Sequence, residues 1–324
     1  MSARHYGIDI GGTKIGVCFG DEDGNLLATD RLDTDPAATP DVLLRQAWEL
    51  LNRAASEVEG EGARAVGIAC PGPMSSKEGR FLDPPNMPTW HGFEVQRFIE
   101  ELSGLPVALM NDANASVLAE VAWGGAQGTR NAIFLTMSTG MGAGLYLNGD
   151  VFEGPDDLAG EIGHLRLDAN GPVGFGKAGS VEGYLSGPGM TQVARNELLA
   201  ATQRGERSKL HDHETVGPPE LFAAAREDDP VALRAVDRIG EALGRLMSIL
   251  TDLFNPEVIV LGTIGTAQYD LLVPRARRVL EAEAIPRAVE RMRIEPSPLG
   301  EKRGHLTALA IAKRLREQGG AKRP

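Results

Sequence analysis

A short glycine-rich turn follows a predicted β-strand at two places in this sequence, and this repeated feature constrains the fold more than any other. The first turn lies in DIGGTK, residues 9–14, and the second is STGMGAG, residues 138–144. In both, glycine lets backbone N–H groups turn toward an anion. DIGGTK alone could equally be an ordinary hairpin in which Gly11 and Gly12 supply positive φ. Two such turns at matching places are hard to explain in that way.

The predicted elements around the two turns follow the same order. Up to residue 123, hydrophobic patterning predicts three strands followed by helix, strand, helix, strand and helix, or βββαβαβα. The order restarts with strands over 132–136, 145–147 and 151–152. Later elements are helices over 190–201, 221–226, 231–254 and 269–282, strands over 258–261 and 292–294, and an amphipathic helix over 306–315. The sequence therefore predicts an α/β protein with duplicated βββαβα cores.

Charge and cysteine content restrict the class of protein. The chain has 33 basic and 45 acidic residues, a net charge of −12, and no long basic run, which disfavours nucleic acid and anionic membranes as partners. Its two cysteines, Cys18 and Cys70, cannot form a disulfide framework and favour a reducing compartment. No apolar run approaches the roughly 18 residues that span a bilayer. We therefore expect a cytoplasmic protein that acts on small molecules.

The first turn also carries groups suited to a phosphate and a metal ion. Thr13 offers a hydroxyl beside the turn, and Asp9 can hold Mg²⁺ directly or through water. A third glycine segment, LGTIG over 261–265, follows a predicted strand in the way that an adenine or ribose pocket requires.

Asp112, in the segment NDAN, has two interpretations. It follows a predicted strand and precedes a predicted helix, where Asp commonly serves as the N-cap. It could instead be a general base for a substrate hydroxyl, because reactive groups collect at strand ends in open α/β sheets. Both interpretations remain open from the sequence.

Three further polar residues are candidates for sugar binding. The segment GEIGH places Glu161 and His164 three residues apart, and Glu182 follows in SVEGY. Each could be a solvated surface group. Together they offer two carboxylates and an imidazole, which can bind several adjacent sugar hydroxyls.

The combined motifs resemble those of the ROK family (repressor, open reading frame, kinase), in the superfamily of actin, hexokinase and heat-shock chaperones. They span nearly the whole chain and are DIGGTK, GIACPGP, PPNMPTW, NDANASVLAE, STGMGAG, GEIGH and VEGYLSG. The resemblance implies a two-lobed actin-like, ribonuclease-H-like ATPase fold. On this basis we expect a sugar and phosphate lobe over 1–122, a nucleotide-binding lobe over 123–303, a helix over 304–318 that packs back on the first lobe, and a tail over 319–324.

The resemblance also implies a function and a role for each site residue. The chain would transfer the γ-phosphate of ATP to a hexose hydroxyl, foremost the 6-hydroxyl of glucose, as a homodimer or homotetramer. Asp112 would be the base, and Asp9 would hold Mg²⁺ through water. The implied sugar-binding residues are Gly72, Asn86, Asn111, Asp112, Glu161, His164 and Glu182. The implied phosphate and nucleotide residues are Asp9, Gly11, Gly12, Thr13, Lys14, Ser138, Thr139, Gly140, Gly142, Gly262 and Gly265.

One departure from the family pattern concerns a structural zinc site. The family usually continues after this histidine with CxCGxxGC, whose three thiolates and the histidine bind zinc. Val173, Phe175 and Ser180 stand at the thiolate positions. We therefore expect no structural zinc, a His164 that is free of metal, and a loop before Glu182 that is held by the packing of Val173 and Phe175.

Other functions remain open. Mannose, fructose, allose, N-acetylglucosamine and N-acetylmannosamine are alternatives to glucose, because specificity depends on a few hydrogen-bond acceptors. A sugar-responsive transcription regulator of the family would carry a helix-turn-helix before the first turn, whereas eight residues precede Asp9 here. A sugar-binding protein without catalysis is a third alternative, for which the missing thiolates are the argument.

Overall fold

The computed structural model describes residues 2–85 and 87–321, in two compact units. Unit 1 comprises Met1–Gly128, Val151–Ala159 and Pro298–Pro324, and unit 2 comprises Thr129–Asp150 and Gly160–Ser297. One predicted sugar-binding residue, Asn86, lies outside the described residues.

The helices and strands alternate along much of the chain, as an α/β protein requires. The strands are β1 (Arg4–Ile10), β2 (Lys14–Asp21), β3 (Leu26–Asp33), β4 (Val66–Cys70), β5 (Met74–Ser75), β6 (Arg80–Phe81), β7 (Val107–Asn111), β8 (Ala132–Met137), β9 (Met141–Leu147), β10 (Asp150–Val151), β11 (Val173–Gly174), β12 (Lys177–Ala178), β13 (Val258–Leu261) and β14 (Arg293–Pro296). The α-helices are α1 (Pro40–Ser56), α2 (Val95–Ser103), α3 (Asp112–Trp123), α4 (Val181–Leu185), α5 (Gly187–Gln203), α6 (Pro218–Arg226), α7 (Pro230–Phe254), α8 (Thr263–Ala267), α9 (Tyr269–Glu283), α10 (Pro286–Arg291) and α11 (Arg303–Ala321).

Unit 1 is built on a five-stranded mixed sheet in the order β3–β2–β1–β4–β7. β2 is antiparallel to β1 and β3, whereas β1, β4 and β7 run parallel to one another. The central strand β4 is buried along its whole length, as a strand covered on both faces should be. Because parallel strands end at the same edge of a sheet, Asp9 near the end of β1 and Asn111 at the end of β7 lie on the same side.

Helix α11 returns from the end of the chain and packs on this sheet. Gly7 and Gly67 are register partners on β1 and β4. A Cβ on Gly67 would lie 2.7 Å from the backbone nitrogen of Ala312, and one on Gly7 would lie 2.9 Å from the Cβ of Ala308. The two glycines therefore form a flat surface that lets the helix backbone approach the sheet closely.

Unit 2 contains a second five-stranded sheet, in the order β10–β9–β8–β13–β14. β9 is antiparallel to β8, and β13 runs parallel to both β8 and β14. In both units the third, second, first, fourth and fifth core strands follow one another across the sheet. The predicted duplication of an α/β core is confirmed.

Some predicted elements are corrected in detail. β9 begins at Met141, so Gly142 lies inside a strand opposite Thr136 and not in the turn. LGTIG is not an open loop, because Gly262 is the N-cap of α8 and Gly265 lies within that helix. The hairpins β5–β6 and β11–β12 and the short helices α4 and α10 were not predicted, since elements of two to six residues are too short for a clear hydrophobic period. Among the described helices, none combines the length and apolar character needed to cross a bilayer.

Candidate active site

The turn between β1 and β2 presents backbone N–H groups to solvent. The Gly11 N–H donates to the Lys14 carbonyl at 2.9 Å, and the Thr34 N–H donates to the Thr13 carbonyl at 2.9 Å. Within the described residues, the N–H groups of Gly12 and Thr13 donate no hydrogen bond. Neither Gly11 nor Gly12 has positive φ, so the interpretation of this segment as a positive-φ turn is wrong. The turn has the exposed donors that an anion site needs.

Asp9 and Asp112 form an acidic pair in unit 1. The pKa of Asp9 is raised from 3.8 to about 6, mainly by burial and also by the nearby charge of Asp112, while the charge of Arg303 opposes both effects. At the start of α11, a Cβ on Gly304 would overlap the Oδ2 atom of Asp9. Two carboxylates that repel each other in this way fit a divalent cation, which favours oxygen ligands and would neutralise the pair.

Helix α3 begins with its cap on Asn111, not on Asp112. The Oδ1 atom of Asn111 accepts a hydrogen bond from the Ala113 N–H at 2.9 Å. Asp112 is the first residue of the helix and is exposed. The interpretation of Asp112 as the N-cap is therefore wrong. Gly72, in the loop after β4, is close to the same cap, because a Cβ there would lie 3.6 Å from the Nδ2 atom of Asn111.

The second glycine turn lies between β8 and β9 in unit 2, and a carboxylate faces it. The Ser138 N–H donates to the Gly140 carbonyl at 3.0 Å. The Oε2 atom of Glu182 accepts a hydrogen bond from the Met141 N–H at 3.2 Å. It would also lie 3.3 Å from a Cβ on Gly140. Glu182 therefore reaches the turn that was predicted to bind phosphate.

Glu161, His164 and Glu182 are brought together in unit 2. Partial burial raises the pKa of Glu182, and the charge of Glu161 raises it further. The hydrogen bond from Met141 and the charge of His164 lower the same pKa. Glu161 and His164 are both exposed, so this cluster presents two carboxylates and an imidazole to a polar ligand.

The loop before Glu182 is held by hydrogen bonds more than by apolar packing. The buried Oγ of Ser180 accepts from the N–H groups of Gly183 and Gly174 and donates to the Gly174 carbonyl, each at 3.1 Å. The side-chain amide of Gln192 bonds both backbone groups of Val173, at 2.9 and 2.8 Å. The side chain of Val173 is 47% exposed, so the prediction that it packs to hold the loop is wrong.

Phe175 does pack against another side chain, and its partner is the ring of His164. Its ring stacks on the imidazole, with the ring centroids 3.8 Å apart and the planes at 16°. In the part of the chain that the structure describes, no group of three or more His, Cys, Asp or Glu residues could hold a metal ion. Val173, Phe175 and Ser180 supply no thiolate to this loop.

The glycines of LGTIG have a clear packing role. A Cβ on Gly262 would lie 3.0 Å from the Cε2 atom of Phe134, and one on Gly265 would lie 2.8 Å from the Sδ atom of Met137. Both glycines therefore let α8 sit closely against β8, and their contact with a nucleotide stays a prediction. The roles of Gly304 and Gln192 were missed, because neither belongs to a recognisable motif and both act on residues distant in the chain.

Comparison with known proteins places these features in one family. The family model described as "ROK family" matches residues 5–315. The glucokinase of Thermotoga maritima is 31% identical over 318 residues, which cover 95% of this chain and 96% of the relative. The structure of the ROK hexokinase from Thermus thermophilus is similar with a TM-score of 0.80 at 30% identity, over 98% of this chain and 100% of that one.

A second solved structure supports the same assignment. It is a ROK family glucokinase from Streptomyces griseus in complex with glucose and AMPPNP, with a TM-score of 0.75 at 28% identity, over 96% of this chain and 100% of that one. The repeated sheet order, the two glycine turns and the match along the chain agree with one another. This chain belongs to the ROK family.

Proposed function

We propose that this protein is an ATP-dependent hexose kinase that transfers the γ-phosphate of ATP to the 6-hydroxyl of glucose. The observation that carries the proposal is the position of Asp112, at the first residue of α3 and beside Asp9, with the helix cap supplied by Asn111. Because Asn111 supplies the cap, the N-cap interpretation does not account for the carboxylate of Asp112 at this position. The names of the Thermotoga and Streptomyces relatives support glucose and an ATP analogue as ligands.

Asp112 acts as the general base. Its carboxylate takes the proton from the sugar hydroxyl as that oxygen forms a bond to the γ-phosphorus. The bond between the γ-phosphorus and the β–γ bridging oxygen breaks, and ADP leaves. Because the transition state is largely dissociative, the base contributes orientation as much as proton transfer.

The glycine turns stabilise charge on the phosphates. The N–H groups of Gly12 and Thr13 donate to phosphate oxygens, with Lys14 as a nearby cation. The turn over 138–140 presents the N–H groups of Thr139 and Gly140, which donate no hydrogen bond within the described residues. Fixed backbone donors need no reorientation during the reaction, which is why they stabilise developing charge well.

Mg²⁺ fits the acidic pair of unit 1. Asp9 would hold it through water, and a cation there would offset the repulsion between Asp9 and Asp112 that contributes to the raised pKa of Asp9. The chemistry that Mg²⁺ supplies is neutralisation of phosphate charge.

The sugar is bound by hydrogen bonds to its hydroxyls. Glu161 and Glu182 accept from hydroxyl groups, and one ring nitrogen of His164 forms a further hydrogen bond. Asn111 and Gly72, in unit 1, are also proposed to bind the sugar, and so is Asn86. Partial burial of Glu182 strengthens its hydrogen bonds, because fewer waters compete for the carboxylate.

We base our proposals for the assembly and the compartment on the family resemblance and on the thiols, respectively. We infer a homodimer or homotetramer, which light scattering would establish. We place the protein in the cytoplasm, because Cys18 and Cys70 are both buried free thiols.

The test is ADP release with glucose, mannose, fructose, allose, N-acetylglucosamine and N-acetylmannosamine, for the parent and for Asp112→Asn. We expect the highest kcat/KM with glucose and a fall in kcat of about 10²- to 10⁴-fold in the variant. Asp41→Asn makes the same change in the first turn of α1 and should leave kcat unchanged.

Three outcomes would contradict the proposal. A folded Asp112→Asn variant with kcat within a few-fold of the parent would remove Asp112 from the mechanism. A higher kcat/KM with N-acetylmannosamine or another sugar would change the acceptor. Sugar binding without ADP release from any sugar would favour a regulator or a sugar-binding protein without catalysis.

A further inference from the structure

The stack of Phe175 on His164 is an unusual contact for two surface side chains. Aromatic pairs in proteins generally have centroids about 4.5–7 Å apart. Here the separation is 3.8 Å and the planes are nearly parallel at 16°. Phe175 is nevertheless 52% exposed, so burial of its ring contributes less than it would in a core. One face of the ring lies against the imidazole.

The backbone of Phe175 has a conformation that phenylalanine disfavours. Phe175 and Gly176 are the two residues between β11 and β12, and their φ angles are +51° and +65°. Two positive φ angles are the geometry of a type I′ turn, which favours Asn and Gly at both positions. A bulky side chain in the left-handed region is an outlier that needs a compensating interaction. The stack on His164 is the contact that the structure offers.

The turn that carries Phe175 is fixed to the helix that carries Glu182. A Cβ on Gly174 would lie 2.9 Å from the Cβ of Glu182, and the Gly174 backbone is bonded to Ser180. A Cβ on Gly163, next to His164, would lie 3.1 Å from the Cε2 atom of Phe175 and 3.5 Å from the Cβ of Glu182. The ring of Phe175 therefore has a defined place relative to both proposed sugar ligands.

We propose that Phe175 is a positioning residue that fixes the plane of the His164 imidazole for sugar binding. An exposed histidine can rotate about two side-chain bonds, and ordering it on binding costs affinity. A ring nitrogen forms its best hydrogen bond in the plane of the ring, so a fixed plane gives a fixed direction for one sugar hydroxyl. The inference rests on the proposed role of His164 in sugar binding.

The test compares Phe175→Gly, Phe175→Tyr and Phe152→Leu by calorimetric binding of glucose. Glycine suits the left-handed backbone, so Phe175→Gly should keep or raise the melting temperature while the Kd for glucose rises about tenfold. Phe175→Tyr retains the ring and should restore the Kd to within a few-fold of the parent. Phe152 is 51% exposed and lies in unit 1, so Phe152→Leu serves as the matched control.

A second measurement does not depend on activity. The ring current of Phe175 should shift the His164 ring protons upfield in NMR spectra, with His164→Gln used to assign them. The shift should persist in Phe175→Tyr and disappear in Phe175→Gly. An unchanged glucose Kd in Phe175→Gly, or the absence of the upfield shift in the parent, would overturn the inference. Failure of the proposed function would give a different result from failure of this inference, because the parent protein itself would then release no ADP with any sugar.

Discussion

A side chain at Gly304 would overlap the carboxylate oxygen Oδ2 of Asp9. Gly304 is the second residue of α11, and the N-terminal end of a helix carries partial positive charge. Arg303 precedes it and lowers the pKa of Asp9, against the effects of burial and of Asp112. The final helix of the chain thus supports the carboxylate that we assign to Mg²⁺.

Gly304→Ala should therefore damage activity although alanine is the better helix former. The added methyl group must move Asp9 or the start of α11, and we expect kcat/KM to fall at least about tenfold. Gly319 lies in the same helix with nothing near its missing Cβ, so Gly319→Ala should keep full activity. It should leave the melting temperature unchanged or raise it, because alanine favours a helix by about 1 kcal/mol over glycine. If Gly304→Ala had the same kcat/KM as the parent, the displacement of Asp9 would have no effect on activity.

Asp9→Asn should stabilise the fold while it removes activity. The pKa of Asp9 is raised from 3.8 to about 6 in the folded protein, so its ionised form favours unfolding. This destabilisation is absent below pH 3.8 and complete above about pH 6. We expect the variant to gain free energy of unfolding at pH 8, by at most about 3 kcal/mol, and to gain less at pH 5. Urea denaturation at the two pH values measures this, with Asp30→Asn, on β3, as the control.

A fall in the stability of Asp9→Asn at pH 8 would contradict that account. It would mean that the attraction between the Asp9 carboxylate and Arg303 outweighs the burial of Asp9 and its repulsion from Asp112. The loss of activity is a separate expectation, because it tests the Mg²⁺ assignment and not the pKa of Asp9.

The core strands could be predicted from the sequence because their hydrophobic patterns are local. Val66–Cys70 and Val258–Leu261 are buried along their whole lengths, and both read as short apolar runs between turn residues. Repetition of the same element order predicts two similar cores, whereas the order of the strands across each sheet is known only from the structure. The close approach of α11 could not be predicted, because it depends on Gly7 and Gly67 being register partners.

Only part of the geometry of the site could be predicted from the sequence. Asn111 and Asp112 are both good N-cap residues, and only the backbone conformation decides between them. The contact of Phe175 with His164 depends on an unfavourable turn conformation that no propensity would suggest. Likewise, Glu182 could be identified as a candidate ligand, but its hydrogen bond to the Met141 N–H required the folded chain.

Ser180→Ala should destabilise the loop before Glu182 more than Val173→Ala does. The buried Oγ of Ser180 makes three hydrogen bonds, and its loss removes an acceptor from the N–H groups of Gly174 and Gly183 and a donor from the Gly174 carbonyl. We expect a loss of about 1–3 kcal/mol in the free energy of unfolding. Val173→Ala removes an exposed side chain and should change stability by less than about 0.5 kcal/mol. Equal effects of the two changes would show that the hydroxyl is not the main support.

The purified protein should contain no stoichiometric zinc, because the loop offers no thiolate beside His164. Elemental analysis after gel filtration checks this directly. EDTA should leave the melting temperature unchanged and abolish ADP release, and added Mg²⁺ alone should restore the activity. About one zinc ion per chain, or a melting temperature lowered by EDTA, would show that other residues bind a structural metal.

Glucose binding should weaken as the pH falls. The weakening should begin at a higher pH than it would if the glutamate had its ordinary pKa. Partial burial raises the pKa of Glu182, and its ionised form accepts from the Met141 N–H and, as we propose, from sugar hydroxyls. Binding should be strongest above this raised pKa and should weaken as the pH falls through it. Calorimetry without ATP removes any effect of pH on nucleotide binding from the measurement.

Glu182→Gln should remove this pH dependence and leave weak binding at all pH values. Glutamine keeps one acceptor oxygen but cannot change charge, so the glucose Kd of the variant should stay nearly constant between pH 5 and pH 8. Glu227→Gln changes an exposed glutamate of unit 2 that pairs with Lys209, and it should retain the parental pH profile. If Glu182→Gln kept the parental profile as well, another group would have to control binding, and Glu182 would lose its assignment as a sugar ligand.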